Sequence, residues 1–428
     1  MSGPPSPPRS SAGSAALPPR IHRSFPLAND AGTVPVWCVT PDVKGCIHRF
    51  YDTSPISPSG RYLAVTRLPF EDRLPSPGDV ADIVVVDLVE GGHRIVARTR
   101  GWDSQLGAQA QWGSEDAALY YNDVDPGRWT PFGVRFNVFT GESRPLKGTV
   151  YMVAPDGRSV ASPCLRRMSR TQRGYGVVVP DEHVPENRAD RPAEDDGITI
   201  TDAATGRARL LVSLAEIVRE TGLPAAGPGE GALYGFHVKW NSRGDRLMYV
   251  VRRLGEKGRL ASHLVTMNAD GSGLRVAATW QPGQGNHPNW SADGKAILMN
   301  RNPAGDRMHF VTFKPDGSDL RIVADRCAGS GHPTEHPSGN ILTDAYLWDG
   351  IPVKDGKVPL RWIDPVANRE TAIAYVGADA GPDGLADLRL DPHPAWDRTF
   401  RRITFNGILD GERRVFVADL SEFLRGKA

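Results

Sequence analysis

The sequence has little of what would point to a nucleic-acid-binding, membrane-embedded or disulfide-stabilised protein. Its 428 residues include 51 Lys and Arg against 50 Asp and Glu, which leaves a formal net charge of +1. That charge offers no counter-charge to nucleic acid or to an anionic membrane as a main partner. No apolar run approaches the length that spans a membrane. The cysteines are few and scattered, which is typical of a reduced cytoplasmic protein: Cys38, Cys46, Cys164 and Cys327.

Helical periodicity is nearly absent too, with SLAEIVRE (213–220) as the one short helix candidate. The N-terminal stretch MSGPPSPPRSSAGSAALPP is rich in Pro, Ser and Gly, and it lacks the apolar core of a signal peptide. We therefore expect residues 1–20 to form a disordered leader and residues 21–428 to form the folded part. The length suits one large repeat-built unit or two medium domains.

One phrase recurs along the chain and indicates a repeat architecture. HPNWSADGKAILM, from His287, has an aromatic position, a tight turn ending in Asp-Gly, and then an apolar strand. The phrase aligns seven times, starting at Thr53, Gln109, Val150, His237, His287, His332 and His393. Further strand pairs such as HLVTMNADGSGLRVAAT lie between the occurrences. Four strands per unit at this period predict an all-β fold, a seven-bladed β-propeller.

The two ends of the chain predict how the ring closes. The last unit ends at RRVFVADL without a fourth strand, whereas TVPVWCVT (33–40) precedes the first unit and has no blade of its own. We expect this N-terminal segment to supply the missing edge strand, which would remove an exposed sheet edge. A pair of β-sandwiches is the alternative, but it would not explain a turn motif that recurs seven times.

The alignment places histidine at one structural position in four consecutive units: His237, His287, His332 and His393. The first strand of a propeller blade lines the central channel, so these side chains are predicted to converge. Asp391 alternates to the same strand face as His393. Such a group suits Zn²⁺, Mn²⁺ or a similar cation, although direct binding of a carboxylate is an open alternative. His336 falls at a turn and is expected at the surface.

Two long loops open on the same face as the predicted histidine cluster, at 67–82 and at about 162–197. Loops of this length in a compact domain are often functional. The second carries a tyrosine, Tyr175, and several arginines that could pair with carboxylates of an acidic, hydroxyl-rich ligand. A solvated, charged loop is the alternative for any single arginine.

Longer strings resemble a known group of enzymes. GSGHPTEHPSGNILTDAY and DPHPAWDRTFRRITFNG resemble propeller-type polysaccharide lyases, including oligogalacturonate lyase. HRFYDTSPISPSGRYLAVTRLPFEDRLPSPGD, TRGWDSQLGAQAQWG, YNDVD and TQRGYGVVVPDE are similar to seven-bladed ulvan lyases and rhamnose–glucuronate lyases. The resemblance covers about residues 33–420. It implies β-elimination next to a uronic acid, in which a base removes the C5 proton and an acid protonates the leaving O4.

The resemblance also implies roles for individual residues. Tyr175 would be the catalytic tyrosine and Arg191 the group that neutralises the uronate carboxylate, with Arg188 or Arg167 as alternatives that contact substrate. The metal, Mn²⁺, Zn²⁺ or Ca²⁺, would fall on His332 and His393 with Asp391, and His287 would serve as a ligand or base. We assign His237 to catalysis as well. The ulvan-type enzymes have a histidine pair in the second blade, but this sequence has Gln109 there, which we assign to substrate binding.

The predicted function is therefore a lyase acting on a glucuronate-type acidic oligosaccharide or polysaccharide. We expect a cytoplasmic monomer or weak homo-oligomer. The alternative is a non-catalytic, TolB-like propeller that binds carbohydrate or protein, because propellers host many functions. A glycoside hydrolase ranks last, since it would need two carboxylates flanking the channel and Asp391 has no clear partner.

Overall fold

The computed structural model describes residues 17–28, 33–224, 231–379, 381 and 386–426. Most of the predicted leader, residues 1–16, lies outside this range. The regular secondary structure of the described part is almost entirely β-strand, as predicted. Its antiparallel strands form five four-stranded sheets and one eight-stranded sheet. None of its helices is long and apolar enough to cross a membrane.

The first three four-stranded sheets follow the chain order. The first comprises β2 (Cys46–Ile47), β3 (Tyr62–Arg67), β4 (Ala81–Asp87) and β5 (His93–Thr99), preceded in the chain by β1 (Val36–Cys38). The second comprises β6 (Gln111–Trp112), β7 (Ala118–Asp125), β8 (Thr130–Asn137) and β9 (Ser143–Pro145). The third comprises β10 (Met152–Val153), β11 (Ser159–Ser162), β12 (Gly197–Asp202) and β13 (Ala208–Ser213).

Two more sheets of the same form follow. The fourth comprises β14 (Ala232–Trp240), β15 (Arg246–Gly255), β16 (Gly258–Asn268) and β17 (Arg275–Trp280). The fifth comprises β18 (Gly285–Trp290), β19 (Ile297–Arg301), β20 (His309–Phe313) and β21 (Arg321–Val323). Each of these sheets uses consecutive strands in order, which is the strand arrangement of propeller blades.

The eight-stranded sheet contains the last two repeat units. The first unit comprises β22 (Thr334–Glu335), β23 (Ile341–Thr343), β24 (Lys357–Asp364) and β25 (Arg369–Gly377). The second comprises β26 (Ala395–Trp396), β27 (Arg402–Leu409) and β28 (Glu412–Asp419). A single residue pair, Gly377 with Ile408, joins β25 to β27. Strand β1 pairs antiparallel with β28. We interpret these pairings as seven blades with an N-terminal closing strand, and both stay predictions.

The recurring turn connects the first two strands of a unit and also links neighbouring units. In the unit of β18 and β19, the Ser291 hydroxyl accepts from the backbone N–H of Ala296 at 2.8 Å. Gly294, at φ +72°, completes the tight turn. The Trp290 indole N–H donates to the carbonyl of Lys239 in the preceding unit at 3.2 Å. The backbone N–H of Ala292 donates to Glu335 in the following unit at 2.8 Å.

The α-helices of the described residues are short. They are α1 (Leu165–Thr171), α2 (Leu214–Thr221) and α3 (Ser421–Arg425). Helix α2 confirms the one predicted candidate, because Ser213 and Glu216 form a capping box at its start. Helix α1 lies within the long 162–197 segment, so that segment has secondary structure of its own.

Candidate functional site

The four aligned histidines converge around the ring of Phe50. The ring centroid of Phe50 lies 5.3 Å from that of His237 and 4.7 Å from that of His393. The His332 ring centroid is 4.1 Å from His287 and 4.2 Å from His393. Phe50 comes from the first repeat unit. The predicted meeting of these side chains in the channel is therefore seen in the structure.

Unusual backbone conformations hold several of these positions. Gln109, His287 and His393 have φ values of +60°, +50° and +50°, in the left-handed region that residues other than glycine rarely adopt. Gly331, at φ +67°, precedes His332, and a Cβ there would lie 2.2 Å from Asp344 Oδ1. Backbone strain of this kind persists only where the surrounding structure maintains it, and it is concentrated at functional sites.

Three of the four predicted metal ligands can reach one another. His332, Asp391 and His393 each offer a ligand atom within 4.8 Å of the others, and all three are buried. Asp344 orients the histidines: it accepts from His332 Nδ1 at 3.0 Å and from the backbone N–H of His393 at 3.0 Å. A carboxylate behind a histidine in this way fixes the ring and leaves the other nitrogen free for a metal.

The donor set fits a divalent transition metal. Neither ring nitrogen of His393 has a hydrogen-bond partner among the described contacts, although the side chain is buried. Burial, together with His332, lowers the pKa of His393 well below its ordinary value, so the ring is neutral as a ligand must be. Two imidazoles and a carboxylate are typical ligands for Zn²⁺ or Mn²⁺ and less so for Ca²⁺, which prefers oxygen.

His287 lies beside this group. Its Nδ1 donates to the carbonyl of Gly331 at 2.7 Å, which leaves Nε2 as the acceptor nitrogen. The Tyr346 hydroxyl is 3.4 Å from His287 Nε2 and 3.4 Å from His332 Nε2. Burial lowers the pKa of His287 well below its ordinary value. His287 is therefore placed as a neutral imidazole next to the candidate metal group.

A cavity of about 190 Å³ is lined by two of the four clustered histidines, His237 and His287. Among the residues that line it are Tyr175, His237, His287, Tyr346, Arg252, Arg259 and Arg389. The cavity therefore combines neutral imidazoles, phenolic hydroxyls and cationic side chains, which are the groups that bind and deprotonate an acidic sugar.

His237 is held by a neighbouring tyrosine. The Tyr151 hydroxyl forms a short hydrogen bond with His237 Nδ1. Burial lowers the pKa of His237 well below its ordinary value, and the cation of Lys239 adds to the effect. Burial raises the pKa of Tyr151 well above its ordinary value. Both partners are therefore neutral at neutral pH.

Tyr175 is positioned by the two glycines that flank it. Gly176, at φ +89°, donates its backbone N–H to Asp103 Oδ2 at 2.8 Å, and a Cβ there would lie 2.3 Å from the Leu165 carbonyl oxygen. Arg389 donates to the Tyr175 hydroxyl at 3.3 Å and to Asp391 Oδ2 at 2.9 Å. Burial raises the pKa of Tyr175, while the Arg389 cation opposes that shift.

A buried group of charged side chains lies next to the cluster, and we call it the charged plug: Arg49, Asp52 and Lys239. Lys239 Nζ lies 3.0 Å from Asp52 Oδ2, and Arg49 lies 2.5 Å from Asp52 Oδ1. Burial raises the pKa of Asp52, but the Arg49 and Lys239 cations outweigh it and hold that pKa at about 2. Lys239 also donates to the Tyr51 hydroxyl at 3.0 Å. Gln109 accepts from Arg49 Nε at 2.7 Å.

Gln109 therefore lies in the channel, as its alignment predicts, but its side chain supports the plug. Arg49 lies between Gln109 and Tyr151, with its guanidinium carbon 4.7 Å from the Tyr151 ring centroid. A histidine at 109 would lose the amide oxygen that accepts from Arg49. The predicted substrate contact for Gln109 gains no support from this position.

The three predicted arginines lie around a different pocket, which Arg167, Arg188 and Arg191 line together. Arg167 pairs with Asp195 at 3.0 Å, and Arg188 pairs with Asp190 at 2.6 Å. None of the three lines the cavity beside the histidines. Arg167 and Arg188 thus pair with acidic residues of their own segment. In our proposal, Arg389 therefore contacts the substrate carboxylate.

Several site residues were missed from the sequence. Lys239 lies two residues after His237 on β14, and Arg389 lies two residues before Asp391. The two-residue rule that selected Asp391 in the sequence would also have found them. His336, expected at the surface, is half-buried with its ring centroid 5.2 Å from that of Trp396. No sequence signal pointed to the others: His48, Arg49, Asp344, Tyr346, Arg252 and Arg259.

Comparison with known proteins supports the fold. No protein-family model and no curated protein matches the sequence. An oligogalacturonate lyase solved in complex with manganese matches 95% of this chain and 98% of its own, with a TM-score of 0.64 at 15% identity. An oligogalacturonate lyase from Vibrio parahaemolyticus matches 94% and 98%, with a TM-score of 0.63 at 14% identity. TolB from Acinetobacter baumannii matches 73% of this chain and 63% of its own, with a TM-score of 0.39 at 12% identity.

The class that fold and site define is a β-propeller with a buried polyhistidine centre. At these identities the likeness to the two lyases shows a shared fold alone. The resemblance to ulvan lyases and rhamnose–glucuronate lyases stays a prediction.

Proposed function

We propose that the protein is a metal-dependent lyase that cleaves an acidic oligosaccharide next to a uronic acid by β-elimination. One observation carries the proposal: Tyr175, His237 and Arg389 line one cavity. Two residues of its wall contact the candidate metal group, Arg389 through Asp391 and His287 through His332. The fold likeness to two oligogalacturonate lyases, one of them in complex with manganese, supports the same class of reaction.

His332, His393 and Asp391 would hold the metal, with His287 as a fourth candidate. A bound divalent cation would neutralise the carboxylate of the uronate and make the neighbouring C5 proton more acidic. Asp344 fixes His332 with its Nε2 available for the metal. Arg389, which its ion pair with Asp391 holds in place, adds a second positive group for the carboxylate.

The proton transfers are assigned to His237 and Tyr175. The neutral imidazole of His237 removes the C5 proton, the released electron pair forms the C4–C5 double bond, and the bond from C4 to the leaving oxygen breaks. Burial raises the pKa of Tyr175, which keeps its hydroxyl protonated and able to protonate the leaving O4. The finer assignment, a glucuronate-type uronate, is part of the proposal and rests on the family strings alone.

The test is an unsaturated-uronate assay with controlled metal content. Purified protein is stripped with a chelator and then supplied with Mn²⁺, Zn²⁺ or Ca²⁺. It is then incubated with oligogalacturonate, ulvan and glucuronate–rhamnose oligomers. We expect ultraviolet absorbance from the C4–C5 double bond on at least one substrate, and its loss on chelation.

Two variants and a matched control sharpen the assay. His237→Gln and Tyr175→Phe should each lower kcat by about 10²–10⁴-fold, the usual contribution of a general base or acid. Tyr375→Phe, on strand β25 of another unit, should leave kcat unchanged. No product from folded, metal-loaded protein across the whole panel would refute the proposal and favour a non-catalytic binding propeller.

A further inference from the structure

Two arginines on one hairpin line the cavity. They belong to a different repeat unit from the residues of the candidate metal group. Arg252 lies on β15 and Arg259 on β16, the two paired central strands of the fourth sheet. Both border the cavity that Tyr175 and His237 also line. Arg252 is only 8% exposed. The cavity therefore has a second cationic region, which the proposed elimination does not use.

Arg252 differs from the other buried arginines in the described residues. Each of the other five buried arginines has a carboxylate within 4.0 Å: Arg49, Arg167, Arg361, Arg402 and Arg413. Arg252 instead donates to neutral groups, the Gln172 side-chain oxygen at 3.0 Å and the Thr171 carbonyl at 3.3 Å. Its Nε has no hydrogen-bond partner. A buried guanidinium without a counter-ion is costly unless a ligand supplies the anion.

The surroundings fix the guanidinium of Arg252 but do not neutralise it. Its guanidinium carbon lies 3.4 Å from the ring centroid of Phe236, which holds the group by stacking. Burial lowers the pKa of Arg252, and the nearby Arg259 cation lowers it further. Burial also lowers the pKa of Arg259. Two partly desolvated cations that repel each other would both be stabilised by one shared oxyanion.

We propose that Arg252 and Arg259 form a second anion subsite, which binds an acidic group of the sugar next to the uronate that is cleaved. This inference rests on the proposed function for its substrate, but the subsite itself does not depend on turnover. The shared chemistry is an oxyanion, either a carboxylate or a sulfate ester. The best substrate would then carry acidic groups on two neighbouring sugars.

The first arm of the test uses inorganic sulfate and metal-free protein. Sulfate should raise the unfolding temperature of the unmodified chain at constant ionic strength. The sulfate concentration for half of that effect should rise at least tenfold in Arg252→Gln and in Arg259→Gln. Arg246→Gln, at the other end of strand β15, is the matched control and should behave like the unmodified chain. Arg259 is less buried, so Arg259→Gln keeps the test valid if Arg252→Gln fails to fold.

The second arm distinguishes the two sources of the oxyanion. A diuronate is compared with the same disaccharide methyl-esterified on the neighbouring sugar, and with one that carries a sulfate ester there. The preferred group should lower KM at least tenfold, and Arg259→Gln should abolish that preference. Equal sulfate binding by the unmodified chain and both variants would overturn the subsite. Sulfate binding without any lyase activity would overturn the proposed function and leave the subsite standing.

Discussion

At the scale of single residues, the site depends on histidine side chains that stay neutral, although an exposed histidine titrates near neutral pH. Burial lowers the pKa of His237, His287 and His393, so these rings offer lone pairs where a solvent-exposed histidine would bind a proton. The orientation of each ring then matters as much as its charge. Asp344 supplies that orientation for His332 and also accepts from the backbone of His393.

Asp344→Asn should therefore weaken metal binding. Asp344 accepts from the backbone N–H and Nδ1 of His332 and from the backbone N–H of His393. The amide retains one acceptor oxygen, so at least one of these three N–H groups loses its partner. We expect a 10–100-fold loss of Mn²⁺ affinity, the usual effect of removing a group that orients a ligand. Calorimetric titration of metal-free protein measures it. Asp349→Asn, whose carboxylate bonds only to Ser330 among the described contacts, is the control. Equal affinity in both variants would refute the orienting role.

At the scale of elements, the 162–197 segment shows how local backbone constraints deliver a side chain to a distant site. Helix α1 begins the segment, and the glycines on either side of Tyr175 then turn the chain back past it. The backbone N–H of Gly176 is tied to Asp103 in the connection between the first two sheets. The segment is long, but it is anchored at the residue that faces the cavity.

Gly176→Ala should cost more stability than the same change at a matched glycine. Both Gly176 and Gly305 have positive φ, +89° and +80°, so alanine costs about 1 kcal/mol of backbone strain at either. Only at Gly176 does the new Cβ meet the Leu165 carbonyl, whereas nothing lies within 4 Å at Gly305. We expect about 1–3 kcal/mol of additional cost at Gly176. Urea unfolding measures both, and equal costs would contradict the steric argument.

At the scale of the whole molecule, the charged plug ties separate repeat units together through the channel. Asp52 belongs to the first unit, Lys239 to the fourth, and Lys239 also donates to the carbonyl of Pro288 in the fifth at 3.0 Å. Tyr51, whose hydroxyl accepts from Lys239, has its ring centroid 5.1 Å from that of His332. The plug therefore joins separate units through residues that also contact the histidine cluster.

Lys239→Met should destabilise the protein strongly. It leaves the buried Asp52 with Arg49 as its remaining cation, and breaking a buried pair by removing one partner costs about 3–5 kcal/mol. Lys44→Met is the matched control, because Lys44 pairs with Glu412 at the surface, where a pair contributes about 1 kcal/mol or less. Chemical unfolding of both variants checks the difference. A cost for Lys239→Met no larger than that of the control would rule out the plug as a stabilising element.

The sequence by itself determined the β-propeller class and the gathering of the histidines. A turn that recurs at one strand position places every aligned residue at the same place in its unit, and the channel then brings His237, His287, His332 and His393 together. The two-residue alternation expected of a strand predicted Asp391 as a member of the site, and the same rule would have predicted Lys239 and Arg389.

Tertiary structure alone decided what surrounds that cluster. The segment from His48 to Asp52 occupies the channel, and its contacts turn Gln109 into a support for Arg49. The folding of the 162–197 segment brings Tyr175 to the cavity but pairs Arg167 and Arg188 with nearby acids. Long loops have no periodicity from which their direction could be predicted, and ion pairs form between residues far apart in the chain. Which arginines meet the ligand therefore depends on the folded molecule and not on the repeat.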